Sequence, residues 1–440
     1  MQTKFKLNTY SLTMIVVGLV IGLGIFRTAS NTAQASIHPI VFFLAWIIGG
    51  LIAITGALSY AEIGARMPTT GAYYKIFAYA YHPSIAFALN CVILISNAAS
   101  LSGVALIGAE YLSHFVFASN EAPSWFKPMV GIIAIGSFYF INLFGLKISS
   151  RALNVLMAIK LGMLALIIIA LFVPSAYVQQ EIQWSTLPST PLLISSLGAA
   201  LISVCFTFGG YQQTINFGEE IENPSITMPR GILMGLLIVI VIYFLANSSY
   251  FFCIGFDSLK SSSGVAAIVA GKLFGPIAEN LFSILLFIAV LAYVDVLLLS
   301  NPRVMYAMAK DEILPQYFLK TYGKNQTLIV SLSVFTFISI IVLFFAETFD
   351  RLLGFVMFLD SLGMAFSVAT LFKMRKNNLQ PESGSEFFKM KYFPLAPIIF
   401  MICYLFVSFT ILKNQTVSAL IGIGVFIFFI LIYWLVKKLK

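Results

Sequence analysis

Long apolar runs separated by short polar turns repeat along the chain, and a helix crossing a bilayer needs roughly 20 apolar residues. Twelve such runs can be marked, at about 11–35, 39–65, 84–117, 129–146, 152–174, 192–216, 230–255, 276–305, 327–346, 351–372, 393–412 and 416–436. Little chain is left between them for a soluble domain. The pattern predicts an all-α membrane protein of twelve transmembrane helices. Pro68 is expected to stop the second run, a tyrosine-rich amphipathic piece follows at 69–81, and an acidic turn at 217–230 prepares the seventh span. The segment 261–271 is apolar enough for a short lid helix.

Two runs carry an interruption that lipid alone does not explain. The first contains Gly18-Leu19-Val20-Ile21-Gly22-Leu23-Gly24-Ile25-Phe26-Arg27, and the sixth contains Thr207-Phe208-Gly209-Gly210-Tyr211. Glycine inside a helix costs about 1 kcal/mol relative to alanine, and each backbone group left unpaired in lipid costs several more. Interruptions at corresponding places in two blocks of five spans point to an inverted-repeat transporter. The expected units are residues 1–174 (spans 1–5), 192–372 (spans 6–10) and 393–440 (spans 11–12 with a short tail).

The interruptions also predict a cargo. If span one runs outward, the half-helix after its break presents the amides of Gly22, Leu23, Gly24 and Ile25 beside a positive dipole end, where an anion is favoured. Span six runs inward, so Phe206, Thr207 and Gly209 present carbonyls at a negative dipole end, where a cation is favoured. A carboxylate and an ammonium on one small molecule, an α-amino acid, answer both needs. Close helix packing on small residues is the competing reading of either interruption alone.

Composition agrees with the class: the chain is 60% hydrophobic and 10% charged, against about one quarter charged in an average soluble protein. With the N-terminus inside, 19 of the 26 Lys and Arg fall in cytoplasmic segments, among them Arg66, Arg230, Arg303, Lys373, Arg375 and Lys376. The expectation is a multi-pass protein of the cell (inner) membrane with both termini cytoplasmic. Topology therefore accounts for the net charge of +9, and charge scattered over loops argues against nucleic-acid binding. Cys91, Cys205, Cys253 and Cys403 sit in four different spans and the three histidines near span ends, so no metal or disulfide spacing is present. No HExxH, histidine cluster or nucleophile elbow points to an enzyme. No cofactor is expected, and the sequence assigns no partner subunit.

Charges inside the spans are functional candidates by default. Lys160 lies deep in span five with apolar residues on both sides, while Asp295 and Asp360 lie in spans eight and ten. Either acid could pair with Arg27, just beyond the first break, or with Lys160. Glu62, near the end of span two, is expected to contact a loop or an arginine. Phe206 and Tyr211 flank the second break as candidate gating or specificity residues. The absence of an acid within that break favours neutral amino acids, small or branched. A polyamine or cationic amino acid carrier using Glu110, Asp295 or Asp360 is the alternative.

Several motifs resemble the amino acid–polyamine–organocation superfamily, the span-six block being most similar to the L-type (LAT-like) amino acid transporters. They are Gly18-x-x-Ile21-Gly22-x-Gly24-Ile25-Phe26, Tyr60-Ala61-Glu62, Phe206-x-Phe208-Gly209-Gly210-Tyr211 with Glu219-Glu220-x-x-Asn223-Pro224, and Pro302-Arg303-x-x-Tyr306-Ala307 with Leu314-Pro315. The family's first motif often has a small middle residue where this chain has Leu23. The resemblance implies a leucine-transporter-like 5+5 inverted repeat plus two C-terminal helices, with helices 1 and 6 broken mid-membrane and holding substrate. It also implies alternating access, by sodium-independent exchange or proton-linked uptake. By the same resemblance Lys160 stands in for a bound sodium ion, tying span five to the first break.

Overall fold

The computed structural model describes the chain except residues 1–5, 23, 70, 118–121, 145, 174–188, 263, 324–326, 346–348, 382–385 and 440. The described residues form α-helices and short 3-10 turns, with only isolated bridges at Leu7–Ile221 and Tyr322–Thr327. In chain order the helices are α1 (Thr9–Val20), α2 (Gly24–Ala35), α3 (Pro39–Arg66), α4 (Ala72–Ala80), α5 (Pro83–Phe117), α6 (Phe126–Leu143), α7 (Leu146–Ile169) and α8 (Thr190–Phe208). Then come α9 (Pro224–Ile254), α10 (Phe256–Ser261), α11 (Val265–Phe274), α12 (Pro276–Lys310), α13 (Ile329–Phe345), α14 (Phe349–Lys376), α15 (Leu395–Asn414) and α16 (Thr416–Leu439).

Among the described residues, 10 helices are long and apolar enough to cross a membrane, or 11 if α1 and α2, bent by 45° to one another, count as one span. Each predicted run contains a helix, but α13, with 17 residues, falls short of that length. Exposed apolar side chains such as Phe140, Val241, Phe409, Leu420 and Phe428 coat the outer helices. That suits an apolar solvent and would be an aggregation liability in water.

Local chemistry sets the helix ends. Asn8 caps α1 by accepting from the Ser11 amide at 2.9 Å, and the His38 ring nitrogen accepts from Ile40 at 3.1 Å ahead of Pro39 at the start of α3. α3 ends at Arg66, before Pro68, as the sequence predicts. The interfacial piece is α4. The seventh span differs from expectation: α9 starts at Pro224 and runs through Pro229 unbroken, so the expected turn at 217–230 is half helix. Proline has no N–H and frees the carbonyl four residues back. That carbonyl, of Ser225, accepts from the Phe388 amide at 3.4 Å. The segment 261–271, expected to form one short helix, spans the end of α10 and most of α11, both of which pack on α2.

Interior helices surround the two interruptions. α1 packs on α9, α2 on α8, and α3 on both α8 and α9. α5 packs on α12 and α14, closing the other side.

Candidate functional site

The first interruption begins where α1 runs out. Ile21 donates to Val17 at 2.8 Å and Gly22 to Val20 at 2.7 Å, so the chain leaves the helix in a tight turn. α2 then starts at Gly24, and the amides of its first turn have no acceptor within the helix. Leu23, expected between Gly22 and Gly24 in the carboxylate-binding set, lies outside the described residues. The Gly22 amide is a correction: expected to face a ligand, it is held by Val20, because the turn satisfies the last carbonyls of α1. Gly24 and Ile25 remain at the start of α2, both buried.

The second interruption follows Phe208. Gly209 donates back to Phe206 at 3.1 Å, Gly210 takes a φ of +118° that favours glycine, and a 3-10 turn runs from Tyr211 to Asn216. The Gly210 amide donates to Gln212 Oε1 at 2.8 Å. The expectation of free carbonyls at Phe206 and Thr207 is therefore corrected. The first accepts from Gly209, and the second accepts from the Tyr243 hydroxyl at 3.1 Å. Each carbonyl oxygen has a second lone pair, so both can still accept from a cation.

These two irregular segments touch. A Cβ on Gly24 would come within 3.2 Å of Thr207 Cα, and one on Gly210 would strike the Leu19 carbonyl. The Thr28 hydroxyl meets the Thr207 hydroxyl at 2.5 Å, and Thr207 donates to Ser203 at 2.7 Å. Tyr243 on α9 spans both, its hydroxyl lying 2.8 Å from the Val20 carbonyl and 3.1 Å from that of Thr207. Its ring is wedged between Phe208 and Trp46, with centroids at 5.2 and 6.0 Å.

A cavity of about 60 Å³ lies where they meet, lined by Gly22, Gly24, Phe206, Thr207, Gly209 and Gly210 on one side. Asn97 and Ser100 of α5, Tyr293 of α12 and Asp360 of α14 line the other. At about 30 Å³ per liquid water, this holds one or two waters, and ligand pockets usually start near 300 Å³. The site is contracted around its own polar groups.

The remaining candidates divide. Of the two candidate gating residues, Phe206 lines the cavity and Tyr211 does not. Its ring turns toward α3, 5.9 Å from that of Tyr60, and its hydroxyl fills the space left by Gly56. Lys160 is 1% exposed and its Nζ has no hydrogen-bond partner among the described residues. On the same face of α7, one turn earlier, Met157 would meet a Cβ on Gly18 of α1 at 3.4 Å. Asp360 accepts from Ser96 at 2.6 Å, and Asp295 from Asn142 at 2.8 Å, away from the cavity lining. Arg27, in the first turn of α2, has its charge near Tyr111 of α5. Glu62 forms the arginine contact expected of it: Arg66 donates at 2.8 Å and Arg375 at 2.9 and 2.6 Å.

Tyr243, Thr28, Asn97, Ser100 and Tyr293 escape a reading confined to charged residues. The usable signal was polar side chains at helical spacing inside apolar runs, such as Ser96, Asn97 and Ser100 on α5.

Comparison with known proteins places this architecture. Residues 7–436 match the family model described as amino acid permease. The chain is 25% identical over 437 residues to the serine/threonine exchanger SteT of Bacillus subtilis, covering 98% of this chain and 96% of that protein. It is 24% identical over 442 residues to the human large neutral amino acids transporter small subunit 2, covering 98% and 81%. It is also 24% identical over 382 residues to the branched-chain amino acid permease BcaP of Bacillus subtilis, covering 84% and 78%.

Proposed function

This chain belongs to the amino acid permease family, within the amino acid–polyamine–organocation superfamily, and on that premise we propose that it is a secondary active transporter of α-amino acids. It works by alternating access in the cell membrane, without sodium, as an exchanger or a proton-linked carrier. One observation carries the reading: the start of α2 and the end of α8 meet at one cavity. The first offers amides at a positive helix end, through Gly24 and Ile25. The second offers carbonyls at a negative end, through Phe206, Thr207 and Gly209. A zwitterion is complementary to that pair, and the named relatives are carriers rather than enzymes.

Alternating access needs two halves that rock against each other, and helix neighbours support such a layout. Pair α1, α3, α5, α6 and α7 with α8, α9, α12, α13 and α14. α1 packs on α9 as α8 packs on α3, α7 on α12 as α14 on α5, and α6 on α12 as α13 on α5. This supports a five-plus-five repeat in residues 1–174 and 192–372, with 393–440 appended, both termini being cytoplasmic. Lys160 supplies the fixed cation that replaces a coupling sodium beside the first interruption. Its buried amine, without a hydrogen-bond partner among the described residues, supports that role.

A second reading, a cationic amino acid or polyamine carrier, gains support from Asp360, which puts an acid on the cavity wall. Both readings meet one experiment. Purified protein in liposomes preloaded with one amino acid is challenged with unlabelled competitors, with and without sodium and a proton gradient. The primary reading expects α-amino acids to compete and sodium to be dispensable. Competition by polyamines with none by any α-amino acid overturns it.

A further inference from the structure

We infer that Asp360 is a specificity-determining residue of this site, and that the preferred cargo carries a hydrogen-bond donor at the end of its side chain, a hydroxyl or an ammonium. The inference rests on the amino acid reading above and narrows it.

The cavity has two unlike walls. Backbone groups of the two interruptions form one, and they claim the α-carboxylate and α-ammonium. Side chains of α5, α12 and α14 form the other, with Val104, Val296 and Leu297 beside the polar groups, so the cargo's side chain faces a mixed wall on which Asp360 is the one acid. On that wall the polar side chains pair with one another. The Ser100 and Tyr293 hydroxyls bond each other at 2.7 Å, and the Asn97 amide nitrogen donates to Asn301 at 2.7 Å. Ser96 donates to a single Asp360 oxygen, Oδ1, at 2.6 Å.

A carboxylate has capacity for about four donors. No Lys, Arg or His is among the described residues lining the cavity. Asp360 thus has acceptor capacity to spare and no counter-cation on the wall. Asp295 serves as the contrast: equally apolar in its sequence surroundings, it accepts from Asn142 and takes no part in the lining. Enclosing a carboxylate against methyl groups strips its water without replacing the hydrogen bonds. Leucine and valine are disfavoured on that ground, and aspartate and glutamate by like charge. A side-chain hydroxyl or ammonium supplies a donor that Asp360 can still accept.

The test compares kcat/KM for serine, threonine, ornithine, leucine, valine and glutamate in proteoliposomes of the wild type, Asp360→Asn and Asp360→Leu. Serine and threonine, or ornithine, should exceed leucine and valine by at least about tenfold in the wild type. That ratio should collapse toward unity in Asp360→Leu. Asp360→Asn separates the two donors, because a neutral amide oxygen still accepts from a hydroxyl but no longer balances an ammonium. A hydroxyl cargo keeps most of its preference there, and an ammonium cargo loses it.

A wild type that prefers leucine or valine overturns the inference. So does an unchanged ratio in Asp360→Leu, or an equal loss for every cargo in a variant that is still monodisperse and melts cooperatively. If Asp360→Leu does not fold, the wild-type ranking and Asp360→Asn decide the matter. Uptake of none of these amino acids by the wild type removes the transport reading itself, and the inference with it. Uptake without donor preference removes the inference alone.

Discussion

Lys160 and Tyr243 show how single polar atoms hold the site. Removing a buried lysine usually strips a fold of hydrogen bonds, but Lys160 Nζ makes none among the described residues. A charge at a span centre costs about 2.5–3.5 kcal/mol on insertion scales. Lys160→Met should therefore leave the melting temperature unchanged or raised while slowing exchange at least tenfold, measured on the same preparation. Exchange at the wild-type rate would reject the cation-replacement role. Tyr243→Phe runs the other way. It deprives the Val20 and Thr207 carbonyls of their shared donor; Val20 keeps the Gly22 amide, so the cost of about 1–3 kcal/mol for an unsatisfied buried acceptor falls on the Thr207 carbonyl. A lower melting temperature together with a raised KM is expected, and a variant indistinguishable from wild type in both would show that the hydroxyl positions nothing. At this scale the sequence marked Asp295 and Asp360 as equally anomalous. It could not rank them, because lining a cavity depends on helix rotation.

Among the elements, the join between α3 and α14 stands out. Glu62 is fully buried and accepts from Arg66, from Arg375 and from the Met390 amide at 2.9 Å. Arg66 reaches on to the Leu379 carbonyl at 2.6 Å, and Arg375 to that of Met390 at 3.0 Å. One carboxylate thus ties the end of α3 to α14 and to the segment leading into α15. Glu62→Gln leaves two guanidinium groups without their shared anion, and breaking a buried pair this way costs about 3–5 kcal/mol. The purified variant should melt well below wild type, and a loss under 1 kcal/mol would mean water replaces the carboxylate. Helix existence and most ends were legible from apolar run length, proline and caps. The start of α9 was not. Pro229 reads as a stop until Phe388, 159 residues further on, is seen to satisfy the Ser225 carbonyl.

For the whole molecule, charge bias predicts which face is cytoplasmic, and labelling can check it. In a background with Cys91, Cys205, Cys253 and Cys403 replaced by alanine, an impermeant maleimide should label Ser258→Cys on intact cells. Lys376→Cys should react only after permeabilisation, both positions being exposed. The reverse pattern would invert the topology and with it the direction of both helix dipoles. The sequence by itself determined the solvent, since twelve apolar runs can be buried only in lipid. It also determined where the backbone departs from helix, since glycines at 22, 24, 209 and 210 carry that information locally. Only tertiary structure decided that Gly24 lies against Thr207 and Gly210 against Leu19. It alone set Tyr243 across both segments, turned Tyr211 away toward α3, and put Asp360 rather than Asp295 on the cavity wall. The physical reason is that helix periodicity fixes which residues share a face. Which face turns inward is settled by contacts between helices distant in sequence, and a pattern apolar on every side leaves that open.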